Sequence, residues 1–222
     1  MYRVKKIIRE HEKLMNLLSF IYRFFGCNRI HGRNGLELQW MGTFCKHMNI
    51  KNNGNNNTVI IEKGCRFYNC SIEIYGNNNK IFIGNDCAGH EFEFWASEGS
   101  KIEIGQHTHF AGRIHLAATE GKTIAVGERC LFSSEIVVRT GDSHSVLDLE
   151  GNRVNYAKDV KIGNHVWVGQ RAMILKGTTI SDDCIVGANT LLSGGDYENN
   201  CAIAGNPAKI LKKNVTWCPE LV

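Results

Sequence analysis

Proline is almost absent from this chain of 222 residues, which has two, and a long hydrophobic run is missing altogether. No stretch approaches 18 uncharged apolar residues, and the most apolar one, Leu14 to Phe25, stops after twelve. A membrane-spanning helix, which needs about 20, is therefore excluded. The chain also lacks the cleavage signature of a signal peptide. Cysteine is plentiful at nine, but the number is odd and no CxxC pair occurs. Neither a disulfide framework nor a zinc ribbon is favoured, so the expectation is a reducing, cytoplasmic compartment and no metal. A net charge of +4, without a basic run interleaved with aromatics, excludes nucleic acid as a partner. No Gly-x-y period exists, which excludes collagen.

What is present in excess is glycine and asparagine. The 23 Gly and 22 Asn together make about a fifth of the chain, while hydrophobic residues still amount to 43%. Both types tolerate left-handed backbone angles, so the composition points to a packed structure with many tight turns rather than to disorder.

The turns belong to a repeat. Aliphatics stand six apart at Ile162, Val168, Ile174, Ile180 and Val186, and four residues after each comes a small or β-branched side chain: Val166, Ala172, Thr178, Cys184 and Thr190. This hexad pattern predicts a parallel β-helix, in which three short strands make one triangular coil and each hexad's aliphatic points into a narrow core. Upstream the same unit recurs in longer coils, at Ile61, Ile83, Ile104 and Val126, separated by 22, 21 and 22 residues. Three hexads account for 18, so each coil carries extra residues at one corner. The segments beginning at Gly54, Gly76, Gly99 and Gly121 supply them. Asn and Gly there turn the chain at positive φ and stack on like residues in neighbouring coils. Cys65, Cys87, Cys130 and Cys184 fall in the small-residue slot, with Cys201 in the last partial coil, so buried thiols account for them.

Two segments break the period. Residues 141–157 are polar and predict a loop protruding from the helix, and long loops in a compact fold are usually functional. Residues 1–28 predict an amphipathic helix, with Val4, Ile7, Leu14, Leu18, Ile21 and Phe25 on one broad face. Packing on the β-helix or another subunit is one reading of that face. Peripheral attachment of residues 1–25 to an anionic membrane surface is the other. The domain reading is thus 1–28 helix, 29–205 β-helix and 206–222 tail.

The string from Ile162 to Gln170 (IGNHVWVGQ), with Ile174-Leu-Lys-Gly177, Val186-Gly-Ala-Asn189 and Ala204-Gly-Asn-Pro-Ala-Lys209, resembles the hexapeptide-repeat acyltransferases. The motif block covers about Arg139 to Lys213, and looser coils extend it back to about residue 30. The string Arg139-Thr-Gly-Asp-Ser-His144 looks most like the sugar O-acetyltransferases of capsule, sialic acid and O-antigen pathways. The resemblance implies an all-β, left-handed parallel β-helix, a homotrimer, and an acetyl-CoA site in each groove between neighbours. It also implies a carbohydrate acceptor, while the cysteine usage and the N-terminal helix extend the expected location from the cytoplasm to the inner face of the membrane.

Moving an acetyl group from a thioester to an alcohol needs a base for the hydroxyl proton, and a neutral imidazole suits that task at pH 7. His144 stands where the regular coil gives way to the loop, and the resemblance places the family's catalytic histidine there. His107, His109 and His115 sit in repetitive coil positions whose spacing does not suit a metal site, and they read as surface or groove lining. An imidazole base is held in one tautomer by a carboxylate or carbonyl. Asp142, Asp148 and Glu120 are the candidates, and Asp142 equally suits a turn cap. Trp167 lies 23 residues after His144, close to one long coil, which puts both on one side of the prism. It is too large for the core, so its ring points outward, and the resemblance makes it active-site lining, with interface packing as the other reading. By the same resemblance Gln170, Ala188, Ser193 and Gly194 touch CoA, and Lys209 and Lys212 meet its phosphates; Gly194 stands where the family often has lysine. The leading reading is a direct O-acetyl transfer to a sugar hydroxyl in a ternary complex. N-acylation of an amino sugar and a non-catalytic scaffold are the alternatives.

Overall fold

The computed structural model describes residues 12–40 and 42–221, and of the N-terminal reading, residues 1–11 lie outside them. The rest winds as a left-handed parallel β-helix with three flat faces. The first face stacks eight strands, from Arg29–His31 through Ser71–Tyr75, Phe92–Ser97, Ile114–Ala118 and Val137–Arg139 to Leu191–Leu192. The second stacks eight, from Leu36–Gln39 through Lys80–Ile83, Lys101–Ile104, Thr123–Val126, Val160–Ile162 and Thr178–Ile180 to Gly195–Tyr197. The third runs from Phe44–Lys46 through His109–Gly112, Leu131–Ser134, Trp167–Val168 and Ile185–Val186 to Cys201–Ala204, and a ninth strand, Lys209–Lys213, closes it antiparallel. The tail is therefore partly sheet, returned by a turn at 205–208 around a cis Asn206–Pro207 peptide.

Alternation along each strand puts every second side chain inside, as in Asn57–Ile61, where Asn57, Val59 and Ile61 are buried. Ile162, Val168, Ile174, Ile180 and Val186 are all buried. The long coils add something the hexad count did not bring out, a column of phenylalanines. Phe67 packs edge-on against Phe92 at 5.0 Å, Phe92 stacks on Phe94 at 4.3 Å, and Phe110 lies 5.2 Å from Phe132. The extra corner residues widen those coils enough to take rings.

The small slot has a chemical reason. The thiols of Cys65, Cys87, Cys130 and Cys184 donate to the carbonyls of Gly84, Gly105, Gly163 and Glu198 at 3.1 to 3.2 Å, each about one coil further along, and the Thr108 hydroxyl does the same to Gly127. A short side chain with one weak or strong donor satisfies a corner carbonyl that the sheets leave over.

All the extra residues fall at one corner, between the first and second faces, and the asparagines stack there as expected. The Asn56 amide donates to the Asn78 side chain at 2.6 Å, and the Asn79 N–H donates to Asn57 Oδ1 at 2.8 Å. Left-handed angles are not confined to Gly and Asn, however. At the corner between the third and first faces Arg113, Glu135 and Arg171 have φ of 52, 61 and 60°, and Glu135 forms ion pairs with both arginines. Coil-to-coil pairing offsets the backbone cost of about 1 to 2 kcal/mol.

The helix α1 (Glu12–Phe25) docks at the N-terminal end of this solenoid. Gly42 donates its N–H to buried Ser19, and Tyr22 meets Phe44 edge-on at 5.8 Å, while Leu17, Phe20, Ile21 and Phe25 stay exposed. One side of the helix thus packs on the β-helix and another is exposed.

Candidate active site

At the corner between the first and second faces, residues 140–159 leave the coil between Val137–Arg139 and Val160–Ile162. The excursion is a hairpin-like loop. Leu147 and Arg153 form an antiparallel bridge, Val154 donates to Val146 at 2.9 Å, and the Asp148 carboxylate closes the tip by accepting the Asn152 N–H at 2.7 Å. Those N–H groups, the backbone one foremost, hold the Asp148 carboxyl below the usual carboxylate range.

Asn155 is the hub of the loop. Its side-chain Oδ1 accepts from Val146 N–H at 2.7 Å, and its side-chain amide donates to Asp142 Oδ2 at 2.9 Å and to the His144 carbonyl at 2.8 Å. Two ion pairs fasten the loop to the coils. The Arg153 guanidinium lies over the Tyr156 ring and grips both oxygens of Glu120, and Lys176 holds Asp142 and also donates to the Asn155 carbonyl at 3.1 Å. The Arg153 hydrogen bonds hold the Glu120 carboxyl below its ordinary range, and Lys176 does the same for Asp142.

His144 stands exposed on this pinned backbone. Its ring has no hydrogen-bond partner among the described residues, which corrects one expectation. Glu120, Asp142 and Asp148 were the candidates to orient the imidazole, and all three are engaged in holding the loop. Spacing along the chain places these carboxylates near His144, but it does not reveal Arg153, Lys176 and Asn152, which take them up.

Trp167 lies elsewhere. It sits on the third face, in register with Leu131 and Ile185, whereas the His144 loop leaves from the corner opposite that face. The 23-residue spacing mismatches one coil because the loop lengthens that coil, making Trp167 the partner of a residue 36 positions earlier. Its ring does point outward, with 39% exposure, and the indole N–H donates to Ser133 Oγ at 3.3 Å. Beside it stands a residue that spacing did not single out. Trp217, from the tail, stacks on His165 at 4.5 Å and 13°, donates its N–H to the His165 carbonyl at 2.8 Å, and lies 6.0 Å from Trp167. Asp183 Oδ1 lies 2.8 Å from His165 Nδ1. The only signal for Trp217 in the sequence is a large aromatic after the hexads end.

The residues assigned to CoA divide likewise. Gln170 and Ala188 are exposed on successive coils at the corner between the third and first faces, where the Asn189 N–H reaches the Gln170 carbonyl at 2.8 Å. Ser193 and Gly194 lie at the loop corner, one coil beyond Lys176, with the Gly194 N–H donated to Thr178 Oγ1 at 3.0 Å. Gly194 has φ 111°, a conformation closed to lysine without strain, which accounts for glycine there. Lys209 and Lys212 are exposed on the antiparallel strand of the third face. Of the other histidines, His115 pairs with Glu93 at 3.2 Å, and His109 helps line an open hollow of about 400 Å³ on the third face. Burial, then the charges of Arg66 and His107, press the His109 pKa down. No group of three or more His, Cys, Asp or Glu among the described residues is arranged to hold a metal.

In one chain, then, the candidates form two sets on different sides of a triangular prism. Glu120, Asp142, His144, Ser193 and Gly194 occupy the loop corner. Trp167, Gln170, Ala188, Lys209 and Lys212 occupy the third face and its far corner.

Residues 159–194 match the bacterial transferase hexapeptide family (six repeats). Over 165 residues, 74% of this chain and 76% of the relative, the sequence is 38% identical to a polysialic acid O-acetyltransferase of Neisseria meningitidis. Among solved structures, the polysialic acid O-acetyltransferase OatWY superposes with a TM-score of 0.79 at 32% identity, covering 88% of this chain and 92% of that one. The polysialic acid-specific acetyltransferase NeuO does so with 0.76 at 28% identity, covering 87% and 85%.

Proposed function

The chain belongs to the hexapeptide-repeat O-acetyltransferases, and from that premise we propose that it moves an acetyl group from acetyl-CoA to a hydroxyl of a capsular or related cell-surface polysaccharide, with His144 as general base. The observation that carries the reading is the imidazole itself. It is exposed and has no hydrogen-bond partner among the described residues, and it rides on a loop whose backbone is pinned by Asn155, Arg153 and Lys176.

In the proposed step the acceptor hydroxyl donates its proton to His144 as its oxygen attacks the thioester carbonyl. The new C–O bond forms, the C–S bond breaks, and the imidazolium returns the proton to the departing thiolate. No covalent enzyme intermediate is needed, and both substrates are bound together. Lys209 and Lys212, which have no ion-pair partner among the described residues, suit the phosphate end of CoA. The backbone groups beside Gln170, Ala188, Ser193 and Gly194 suit its amide-rich arm.

The division of the site over two sides of the prism supports a homotrimer in which the His144 corner of one chain faces the Trp167 side of the next. The exposed apolar row on α1 supports peripheral contact with a membrane surface, and acetyl-CoA as donor supports the cytoplasmic side. Among the described residues no helix is long and apolar enough to cross a membrane.

Transfer from acetyl-CoA to polysaccharide, measured for wild type and His144→Ala, tests the reading. Loss of transfer by roughly 10² to 10⁴-fold with CoA binding retained is expected. Equal transfer by both proteins removes His144 as base.

A further inference from the structure

The coils are complete before the chain ends. The strand Lys209–Lys213 already covers Cys201–Ala204, so residues 214–217 add nothing to the sheets. They are nevertheless fastened at every step. Asn214 turns the chain with φ 58°. The Val215 N–H then donates to the Asn200 carbonyl at 3.0 Å, the Thr216 hydroxyl to Asp183 Oδ1 at 3.3 Å, and the Trp217 indole N–H to the His165 carbonyl at 2.8 Å. His165, Asp183 and Asn200 stand one above another at the corner between the second and third faces, with left-handed φ of 53, 60 and 57°. The tail therefore runs back down the solenoid by one coil per residue. Coils are about 4.8 Å apart, and even a fully extended chain gains only about 3.4 Å per residue. The backbone falls behind, so after Val215 the contacts pass to side chains, and the last of them demands a long one with a donor at its far edge. An indole supplies it.

This strap delivers one ring to one place. Trp217 stacks on His165 at 4.5 Å and 13°. Asp183 Oδ1 lies 2.8 Å from His165 Nδ1 and also accepts from Thr216, so a single carboxylate oxygen holds both the imidazole and the tail. Trp167, the second residue after His165, lies 6.0 Å from Trp217 with the ring planes at 45°. Without that neighbour Trp167 is weakly held. Its indole hydrogen bond to Ser133 Oγ is long at 3.3 Å, and the alternate position further along its chain is Gly169, which offers no side chain. An indole standing on a flat face can turn about two side-chain bonds, and a second ring set against it removes that freedom.

We propose that Trp217 is a positioning residue for acetyl transfer, acting through Trp167 by fixing the plane of that ring where it lines the site. The inference rests on the acetyltransferase reading, in which Trp167 borders the reacting groups. A cap for the corner needs only the hydrogen bonds of Val215 and Thr216. The third fastening uses the largest side chain available and sets it against His165 and within reach of Trp167, which a cap does not require. Misplacement by about 1 Å near reacting groups costs up to about 10²-fold in rate, so the play of one indole matters to transfer while mattering little to the stability of the coils.

The test separates the position of the ring from its use. The full chain labelled with fluorotryptophan is expected to show one narrow fluorine NMR line for Trp167, identified by its loss in Trp167→Phe. In Trp217→Ala that line broadens or splits, and in Trp217→Phe, which keeps a ring on His165, it stays narrow. A single narrow Trp167 line in Trp217→Ala overturns the proposal. In kinetics, Trp217→Ala lowers kcat about tenfold with KM for acetyl-CoA nearly unchanged, and Trp217→Phe restores most of the rate. In a Trp167→Ala background, removing Trp217 has no further effect, because a residue that acts through another is not additive with it. Additive losses in the double variant overturn the proposal, as does a rate loss that only follows a fall in melting temperature. A wild type that transfers no acetyl group removes the acetyltransferase reading instead, and the fluorine lines still decide whether Trp217 holds Trp167.

Discussion

Arg153 reaches back 33 residues and grips both carboxylate oxygens of Glu120, at 2.7 and 2.8 Å, tying the far strand of the protruding loop to the coil beneath it. The pair is open to solvent, so its contribution to global stability is small. Its effect on position is larger, because Arg153 is also hydrogen-bonded to Asn155, which holds the His144 carbonyl.

Arg153→Ala is therefore expected to lower kcat by about tenfold or more through misplacement of the imidazole, with little change in melting temperature or in KM for acetyl-CoA. Steady-state kinetics beside a thermal melt check it. A variant that loses stability and rate in proportion points to a merely structural pair.

Acid acts on the same fastenings. Glu120 is held below its ordinary range by Arg153, and Asp142 by Lys176. A carboxylate whose folded pKa is depressed contributes ordering that is present above its unfolded value, about 4, and lost as pH falls through the folded value. The loop is thus expected to stay closed from neutral pH down to about 4 and to open only below it. Pepsin, active throughout that acid range, reports the onset of cleavage within 141–157. Lys176→Met frees Asp142 to return toward its ordinary pKa and moves the onset to higher pH. An onset that ignores Lys176 removes Asp142 from the fastening.

The fold was legible because hexads are local: an aliphatic every six residues and a small donor four residues later fix three faces without any long-range knowledge. Even the position of the extra residues at one corner follows from counting 22 against 18. The candidate site could be looked for only where that count breaks, as it does at His144. Asp142 and Glu120 were candidates by proximity in the chain, and the groups that hold them, Lys176 and Arg153, lie 34 and 33 residues away. Trp167 was placed by the same count across a coil that the loop had lengthened. The position of Trp217 depends on where the tail meets the coils in space, and a periodicity read one coil at a time carries no information on it.

Thiol chemistry gives a sharp check on the packing. Cys27 and Cys218 are exposed and the other seven cysteines are buried. Burial pushes Cys45 and Cys70 up to about 12 and Cys130 to about 11, so those thiols hold almost no thiolate at pH 8. An aromatic disulfide reagent at that pH is expected to titrate two thiols rapidly and the remaining seven only after denaturation. A third fast thiol in the folded protein contradicts the slot in which these residues donate to the corner carbonyls.

The division of the candidate residues over two sides of the prism makes a prediction about assembly that needs no structure of the assembly. If His144 works with the Trp167 of a neighbouring chain, His144→Ala and Trp167→Ala damage different halves of each site. Mixing equal amounts of the two impaired variants, unfolded and refolded together, produces trimers in which some sites receive His144 from one chain and Trp167 from the next. Half the chains supply the first and half of the neighbours supply the second, so about a quarter of the sites are whole in randomly mixed rings. Transfer activity near a quarter of wild type, from two parents that are each strongly impaired, is the expected result. If both residues served one site within one chain, every site in the mixture would still lack one of them, and the activity would remain at the average of the parents.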